Sequence, residues 1–250
     1  MKNIIILLSL LMAFQLQAQN SKMTETIKFP SEDGLMITAD LYMIDQEAPW
    51  IILYHQAGFS RGEYLEIAPR LNEWGYNCLA TDQRSGDEVN GVLNETHKRA
   101  HEKGLKTAYI DAIPDLVAAL KYAKNQLKAE EIIIWGSSYS AALTFYLASQ
   151  YPDDIKAIIA FSPGEYFKMG NQSIADFAAQ VQCPVFITSA RDEEANWKGI
   201  YKVLSGEKYS YLPKDEGFHG SRALWSDKEG HEMVWKEVEQ YLKSIQNGDQ

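Results

Sequence analysis

The chain is short of cysteine, of cationic side chains and of long apolar runs, and each shortage removes a class of protein. Cys78 and Cys183 are the only cysteines in 250 residues, too few for a disulfide framework and without the spacing of a thiolate metal site. Each falls in or beside a different expected strand, so both are read as unpaired small core residues. Lysine and arginine number 24 against 34 aspartates and glutamates, a formal net charge of −10. No basic stripe is available to neutralise phosphates, which argues against a nucleic-acid partner. The longest apolar run, residues 4–14, is broken by Ser9 and is too short to cross a bilayer. Internal repeats, proline- or glycine-rich linkers and low-complexity tracts are missing, so nothing divides the body of the chain.

What remains is an ordinary globular composition, 46% hydrophobic and 23% charged, at a length that suits one α/β domain. The N-terminus is a separate object. A positive head at Met1-Lys2-Asn3, the apolar run and then Gln15-Leu16-Gln17-Ala18 have the order of a secretory signal peptide, with cleavage expected after Ala18. The expectation is therefore a leader over 1–18, a single domain over 19–250, export to the periplasm or the medium, and no stable membrane insertion afterwards. Residues 24–29 and 35–43 alternate around the turn signal Ser31-Glu32-Asp33-Gly34, which predicts an antiparallel hairpin at a sheet edge. Residues 50–54 are apolar without alternation, the mark of a strand buried on both faces, and 76–81, 132–135, 155–161, 185–188 and 209–212 are expected as further strands. Helical spacing between them, over 63–74, 107–124, 141–148, 195–204 and 232–245, predicts a mostly parallel sheet with helices on both faces. Pro114 suits the first turn of a helix beginning at Ile113. Residues 86–104 are polar and lack periodicity, the longest irregular stretch, and are expected to be a loop over the functional site or a short insertion.

The residues that carry chemistry are Gly136-Ser137-Ser138-Tyr139-Ser140, between a strand and a helix. A serine at the apex of such a turn is pushed out of the sheet top, and the next N–H stands at a helix N-terminus. Three further stations lie at expected strand ends: His55-Gln56-Ala57-Gly58, Ser189-Ala190-Arg191-Asp192 and Gly217-Phe218-His219-Gly220. The carboxyl edge of a parallel sheet is where ligands bind.

This pattern resembles the α/β-hydrolase superfamily and, in size and strand layout, its dienelactone-hydrolase or esterase-like branch. Ser138 matches the nucleophile elbow, with Ser140 where the pattern has glycine. The loop at His55 resembles the His-Gly oxyanion loop, with Gln56 replacing the glycine, and Asp82-Gln83-Arg84-Ser85-Gly86 resembles another loop common in the superfamily. The resemblance implies the α/β-hydrolase fold and, because about twenty residues separate two late strands, no large lid domain. It also implies a chain order of nucleophile, acid, histidine. A serine hydroxyl needs a base, and the base needs an orienting carboxylate. Ser138 is accordingly expected as nucleophile, His219 as general base and acid, Asp192 as orienter, and the N–H groups of Tyr139 and Ala57 as the oxyanion hole. Glu193, Asp215 and Glu165 compete with Asp192, Glu165 most seriously because some members carry their acid after the earlier strand. Ser137 is the nearest rival for the nucleophile, and a plain helix N-cap is the bland alternative for Ser138.

His55 and His231 are expected to be structural. His97 and His101 stand four apart, as a metal pair on a helix would, but nothing nearby supplies further ligands; neither metal nor cofactor is expected. Asn94-Glu95-Thr96 and Asn171-Gln172-Ser173 are glycosylation sequons. Phe59, Tyr139, Tyr166, Phe167, Trp197 and Phe218 fall on loops expected around Ser138, which suggests either ordinary packing or a pocket for an uncharged acyl or aromatic group. The function expected is an exported serine hydrolase (carboxylic ester class, EC 3.1.1) that cleaves a small-molecule ester or related acyl bond through an acyl-enzyme. The alternatives are a peptidase or deacetylase on the same triad and a non-catalytic binding protein of this fold.

Overall fold

In a computed structural model of the chain, residues 23–247 are described. The expected leader over 1–18 lies outside them. β1 (Met23–Pro30) and β2 (Met36–Met43) form the expected antiparallel hairpin, with Phe29 opposite Ile37. β2 then pairs antiparallel with β4 (Asn77–Thr81). From there every neighbour is parallel: β3 (Trp50–Tyr54), β7 (Ile132–Ser137), β8 (Ala157–Phe161), β9 (Val185–Thr188) and β10 (Lys208–Tyr211), giving the order β1-β2-β4-β3-β7-β8-β9-β10.

Successive strand residues feed two cores. Trp50, Ile52 and Tyr54 join one face with Ile134 and Ile158, and Ile51 and Leu53 join the other with Ile133, Trp135 and Ile159. The first face is covered by α3 (Ile113–Asn125), α4 (Tyr139–Gln150), α5 (Ile174–Ala178) and α6 (Glu194–Val203), through residues such as Leu116, Leu143, Phe177 and Ile200. α1 (Ile67–Glu73) and α7 (His231–Asn247) cover the second, through Leu71, Trp235 and Leu242. Continuous apolar strands are thus explained by two-sided burial. Pro114 sits in the first turn of α3 as expected. Both cysteines are free, Cys78 buried and Cys183 partly so. No helix among the described residues is long and apolar enough to cross a membrane.

Residues 86–104 differ from expectation. They form a small hairpin, β5 (Glu88–Val89) with β6 (Val92–Leu93), followed by α2 (Glu95–Glu102). Polar anchoring replaces the apolar periodicity that a sequence pattern needs. The Asn94 side chain accepts the His97 N–H as the α2 cap and donates to the carbonyls of Phe59 and Gln83. Thr96 accepts the Thr38 N–H, and Asp82 accepts the Glu95 N–H. Asn94 is wholly buried, so the first sequon offers no side chain to a glycosyl donor in the folded protein.

The elbow depends on close approach of β7 and α4. A Cβ on Gly136 would stand 2.5 Å from both Cα and N of Ala141, and backbone cannot yield as a side chain can. Gly136→Ala is expected to cost about 2 kcal/mol or more, lowering the thermal midpoint by roughly 5 °C in a calorimetric scan.

Candidate functional site

Ser138 occupies the turn between β7 and α4 with φ 59° and ψ −119°, a left-handed backbone that costs a non-glycine residue about 1–3 kcal/mol. Three contacts hold it there. Its N–H bonds the Phe161 carbonyl of β8 at 2.8 Å, its carbonyl accepts the Ala142 N–H, and the Ser140 hydroxyl bonds across the turn. That hydroxyl accepts the Ser137 N–H at 2.9 Å and donates to the Tyr54 carbonyl at 2.8 Å. Ser140 therefore does more than tolerate the tight packing: it ties the elbow to the end of β3. Ser138 is 9% exposed, while Ser137 is fully enclosed and points to Glu63.

The Tyr139 N–H, the first of α4, and the Ala57 N–H bond no protein acceptor among the described residues. Ala57 owes its direction to the peptide before it. The Gln56 carbonyl accepts from His55 Nδ1 at 2.7 Å and from the Phe59 N–H at 3.2 Å. In a trans peptide the Ala57 N–H then points the opposite way. His55 is a structural histidine, as expected: Nε2 accepts the Gln83 N–H at 2.9 Å, and burial pushes its pKa down to about 4. It is neutral at ordinary pH and locks the loop.

His219 lies on the loop after β10, between Gly217 and Gly220, which both have positive φ. A Cβ on Gly220 would come within 2.6 Å of Ser137 Oγ, so the loop rests directly on the strand that carries Ser138. The carboxylate on the His219 ring is Glu193, not Asp192: His219 Nδ1 donates to Glu193 Oε1. Residues Arg191–Glu193 form a single 3-10 turn, in which successive side chains diverge by about 120°. Asp192 faces solvent and Glu193 faces the ring. The signal that marked it is a glutamate three residues beyond Ala190, whose N–H its Oε2 accepts at 3.1 Å, in the manner of a capping box. Burial opposes ionisation of Glu193, but the His219 ring and the Ser162 hydroxyl outweigh it and hold its pKa below the usual glutamate range. Ser162, a second non-glycine residue with positive φ (53°), donates to Glu193 Oε2 at 2.6 Å and accepts the Gly220 N–H at 2.9 Å. It had no place in the sequence-based expectation. Glu165 caps α5 through the N–H groups of Ile174 and Ala175, and Asp215 is exposed. Arg191 laces the acid loop to the histidine loop through the carbonyls of Pro213 and Lys214.

With Nδ1 bonded to a carboxylate, the His219 proton resides there and Nε2 is left as an acceptor. Among the described residues no hydrogen bond joins that ring to the Ser138 hydroxyl, beside which the Tyr166 hydroxyl stands. Such contacts commonly close only when substrate arrives.

The six expected aromatics separate. Tyr139 is fully buried beneath Tyr109, stacked at 4.9 Å, and Phe167 meets Tyr109 edge-on at 6.2 Å. Tyr109 is 39% exposed and was not anticipated. Trp197 is core, bonded to Ser189; Phe59 stacks on Trp225; Phe218 lines both a cavity of ≈ 360 Å³ between β10 and α7 and the cleft beside Glu193 and His219. His97 bonds the Arg84 carbonyl, and its ring centroid lies 6.5 Å from that of His101.

A family model described as serine aminopeptidase, S33, a hydrolase family, matches residues 46–201. No curated protein sequence matches the chain. Among solved structures, the dienelactone hydrolase of Anabaena variabilis is similar with a TM-score of 0.70 at 12% identity, over 89% of this chain and 97% of that one. The esterase Pf2001 of Pyrococcus furiosus has a TM-score of 0.64 at 18% identity, over 90% and 91%. Est1E of Butyrivibrio proteoclasticus, solved with ferulic acid bound, has 0.64 at 17% identity, over 88% and 98%. These likenesses establish the α/β-hydrolase fold.

The two neighbouring carboxylates give a direct test. Glu193→Gln is expected to lower kcat about 10³–10⁴-fold by disturbing the histidine tautomer, whereas Asp192→Asn stays within about twofold of wild type; ester turnover by the two variants, measured side by side, decides between them.

Proposed function

Because the chain belongs to the S33 serine aminopeptidase family of α/β-hydrolases, whose members are hydrolases, we propose that it is a serine hydrolase of small, accessible carboxylic esters, acting through Ser138, His219 and Glu193. The observation that carries this reading is the left-handed backbone of Ser138. A simple helix cap has no use for that strain, whereas a nucleophile gains from being thrust above the strand ends.

In the proposed reaction His219 Nε2 takes the Ser138 proton as Oγ attacks the ester carbonyl. The carbonyl oxygen, now negative, is received by the N–H groups of Tyr139 and Ala57, which have no acceptor within the protein among the described residues. Glu193 holds Nδ1–H and offsets the imidazolium charge. The proton then passes from Nε2 to the departing alkoxide, leaving an acyl group on Ser138. Water, deprotonated by His219, attacks the acyl carbon, and the collapse returns the proton to Ser138 and releases the acid. The exposed ring of Tyr109 stacked on Tyr139, the residue after Ser138, with Phe167 beside it, offers a flat apolar surface. That surface favours an uncharged acyl group, including an aromatic one. A cleft of ≈ 640 Å³ beside Glu193 and His219 leaves that pair accessible to water. The apolar run before Ala18 supports export of this activity, which N-terminal sequencing of the secreted chain would establish.

The wild type is expected to be labelled by a fluorophosphonate probe, and Ser138→Ala to lose both the label and about 10⁴-fold or more in kcat. Short nitrophenyl esters are expected to turn over faster than aminoacyl amides; the opposite order makes the chain a peptidase on the same groups. An unlabelled, folded wild type would sink the proposal.

A further inference from the structure

Glu63 takes no part in the reaction written above, yet it lies at its centre. It sits in a 3-10 turn (Arg61–Tyr64) after the oxyanion loop and is fully buried. Asp82 and Asp115, equally enclosed, face Arg61 and Arg84. Glu63 has no cation among its hydrogen-bond partners; they are one N–H and one hydroxyl. Its Oε2 accepts the Gln56 N–H at 2.8 Å, and its Oε1 accepts the Ser137 hydroxyl at 2.7 Å. The Ser137 oxygen in turn accepts the Ser221 N–H at 2.9 Å. The Glu63 carbonyl accepts Trp225 Nε1 at 2.9 Å. Each partner abuts a group of the site: Gln56 precedes Ala57, Ser137 precedes Ser138, and Ser221 stands two residues after His219.

We propose that Glu63 is a positioning residue whose carboxylate, by holding the Gln56 N–H and the Ser137 hydroxyl together, fixes the spacing of the Ala57 donor, the Ser138 oxygen and the His219 loop. The inference rests on Ser138 being the nucleophile. A carboxylate suits the task because it only accepts, and both of its partners here donate. An amide would set its own N–H against one of them. Misplacing a reacting group by about 1 Å can cost about 10²-fold in rate, so a rigid tie beneath three loops has catalytic value.

The group also makes the tie sensitive to pH. Burial raises the Glu63 pKa to about 7; the Ser137 and Gln56 bonds and the charges of His219 and Arg222 pull the other way. Tyr64 and Tyr139 are the other titratable side chains that feel it. The folded state keeps this proton up to about pH 7, while the unfolded chain releases it near 4.5. Stability therefore falls as pH rises through that window. The protein forgoes stability to have the charge in place when it works, as functional sites commonly do. Glu63 must then lose its proton to hold the loops for full activity.

The test is kcat and KM for a short nitrophenyl ester from about pH 5 to 9, in wild type, E63Q, E63D and S137A, with Ser138 labelling alongside. On the acid side log kcat of the wild type is expected to fall more steeply than that of E63Q, which lacks the Glu63 proton. E63Q is expected to lose about 10²-fold in kcat with KM within about threefold, and E63D to recover part of the loss. S137A keeps the carboxylate but removes one donor, so its acid limb moves to higher pH. Wild-type kcat and an unchanged slope in E63Q overturn the proposal. Should E63Q fail to fold, S137A decides alone, and an unmoved acid limb overturns it. A wild type that neither turns over ester nor takes the label overturns the hydrolase reading, and this inference with it.

Discussion

The site depends on one backbone constraint, the reversal from β7 into α4 at Ser138. A strand can turn into a helix within one residue only if that residue takes a conformation that L side chains avoid, and if the flanking positions are small. Gly136 meets the second condition by having no Cβ to strike Ala141. Ser140 meets it with a small side chain and adds bonds to Ser137 and Tyr54 that a glycine lacks. The strain at Ser138 is held by the bond of its N–H to β8 and by packing of α4, which is buried along most of its length. In return Ser138 keeps part of its surface open at the N-terminus of α4, where the positive end of the helix dipole lies.

Around this elbow the loops are joined mainly by polar contacts. His55 and Gln83 lock the loop at 55–58 to the end of β4, and Asn94 brings the 86–104 insertion onto both. Arg61 joins Asp40 to Asp82, and Arg84 joins Asp33 to Asp115. Ser162 ties Glu193 to the loop that carries His219, and Glu63 ties the loop at 55–58 to the elbow. Buried polar groups of this kind are costly when unpaired and directional when satisfied. They convert loops, which an apolar core cannot orient, into fixed parts of a site.

The prediction that Glu193, not Asp192, governs His219 marks where legibility ended. The hairpin, the two-face strands, the elbow and the order of stations were readable because each rests on a local pattern: alternation, unbroken apolarity, or small residues about a turn. The carboxylate that meets His219 was not, because Asp192 and Glu193 are equally plausible at a strand end and differ only in the rotation of one 3-10 turn. Residues 86–104 read as irregular because Asn94, Thr96 and Glu95 anchor them through single hydrogen bonds that leave no period. Tyr109 and Ser162 escaped notice because each matters only for what it touches, residues 30 and 31 positions away respectively.

By itself the sequence determined the layering, the strand–turn–helix at Ser138, the candidacy of His219 and the acidic character of the chain, since these follow from residue types and spacing along a short stretch. Only the tertiary structure decided which carboxylate meets the imidazole, which aromatics pack on Tyr139 and that Glu63 bonds Gln56 and Ser137. Those outcomes turn on side-chain direction across segments far apart in the chain, and direction is set by how the layers close on one another.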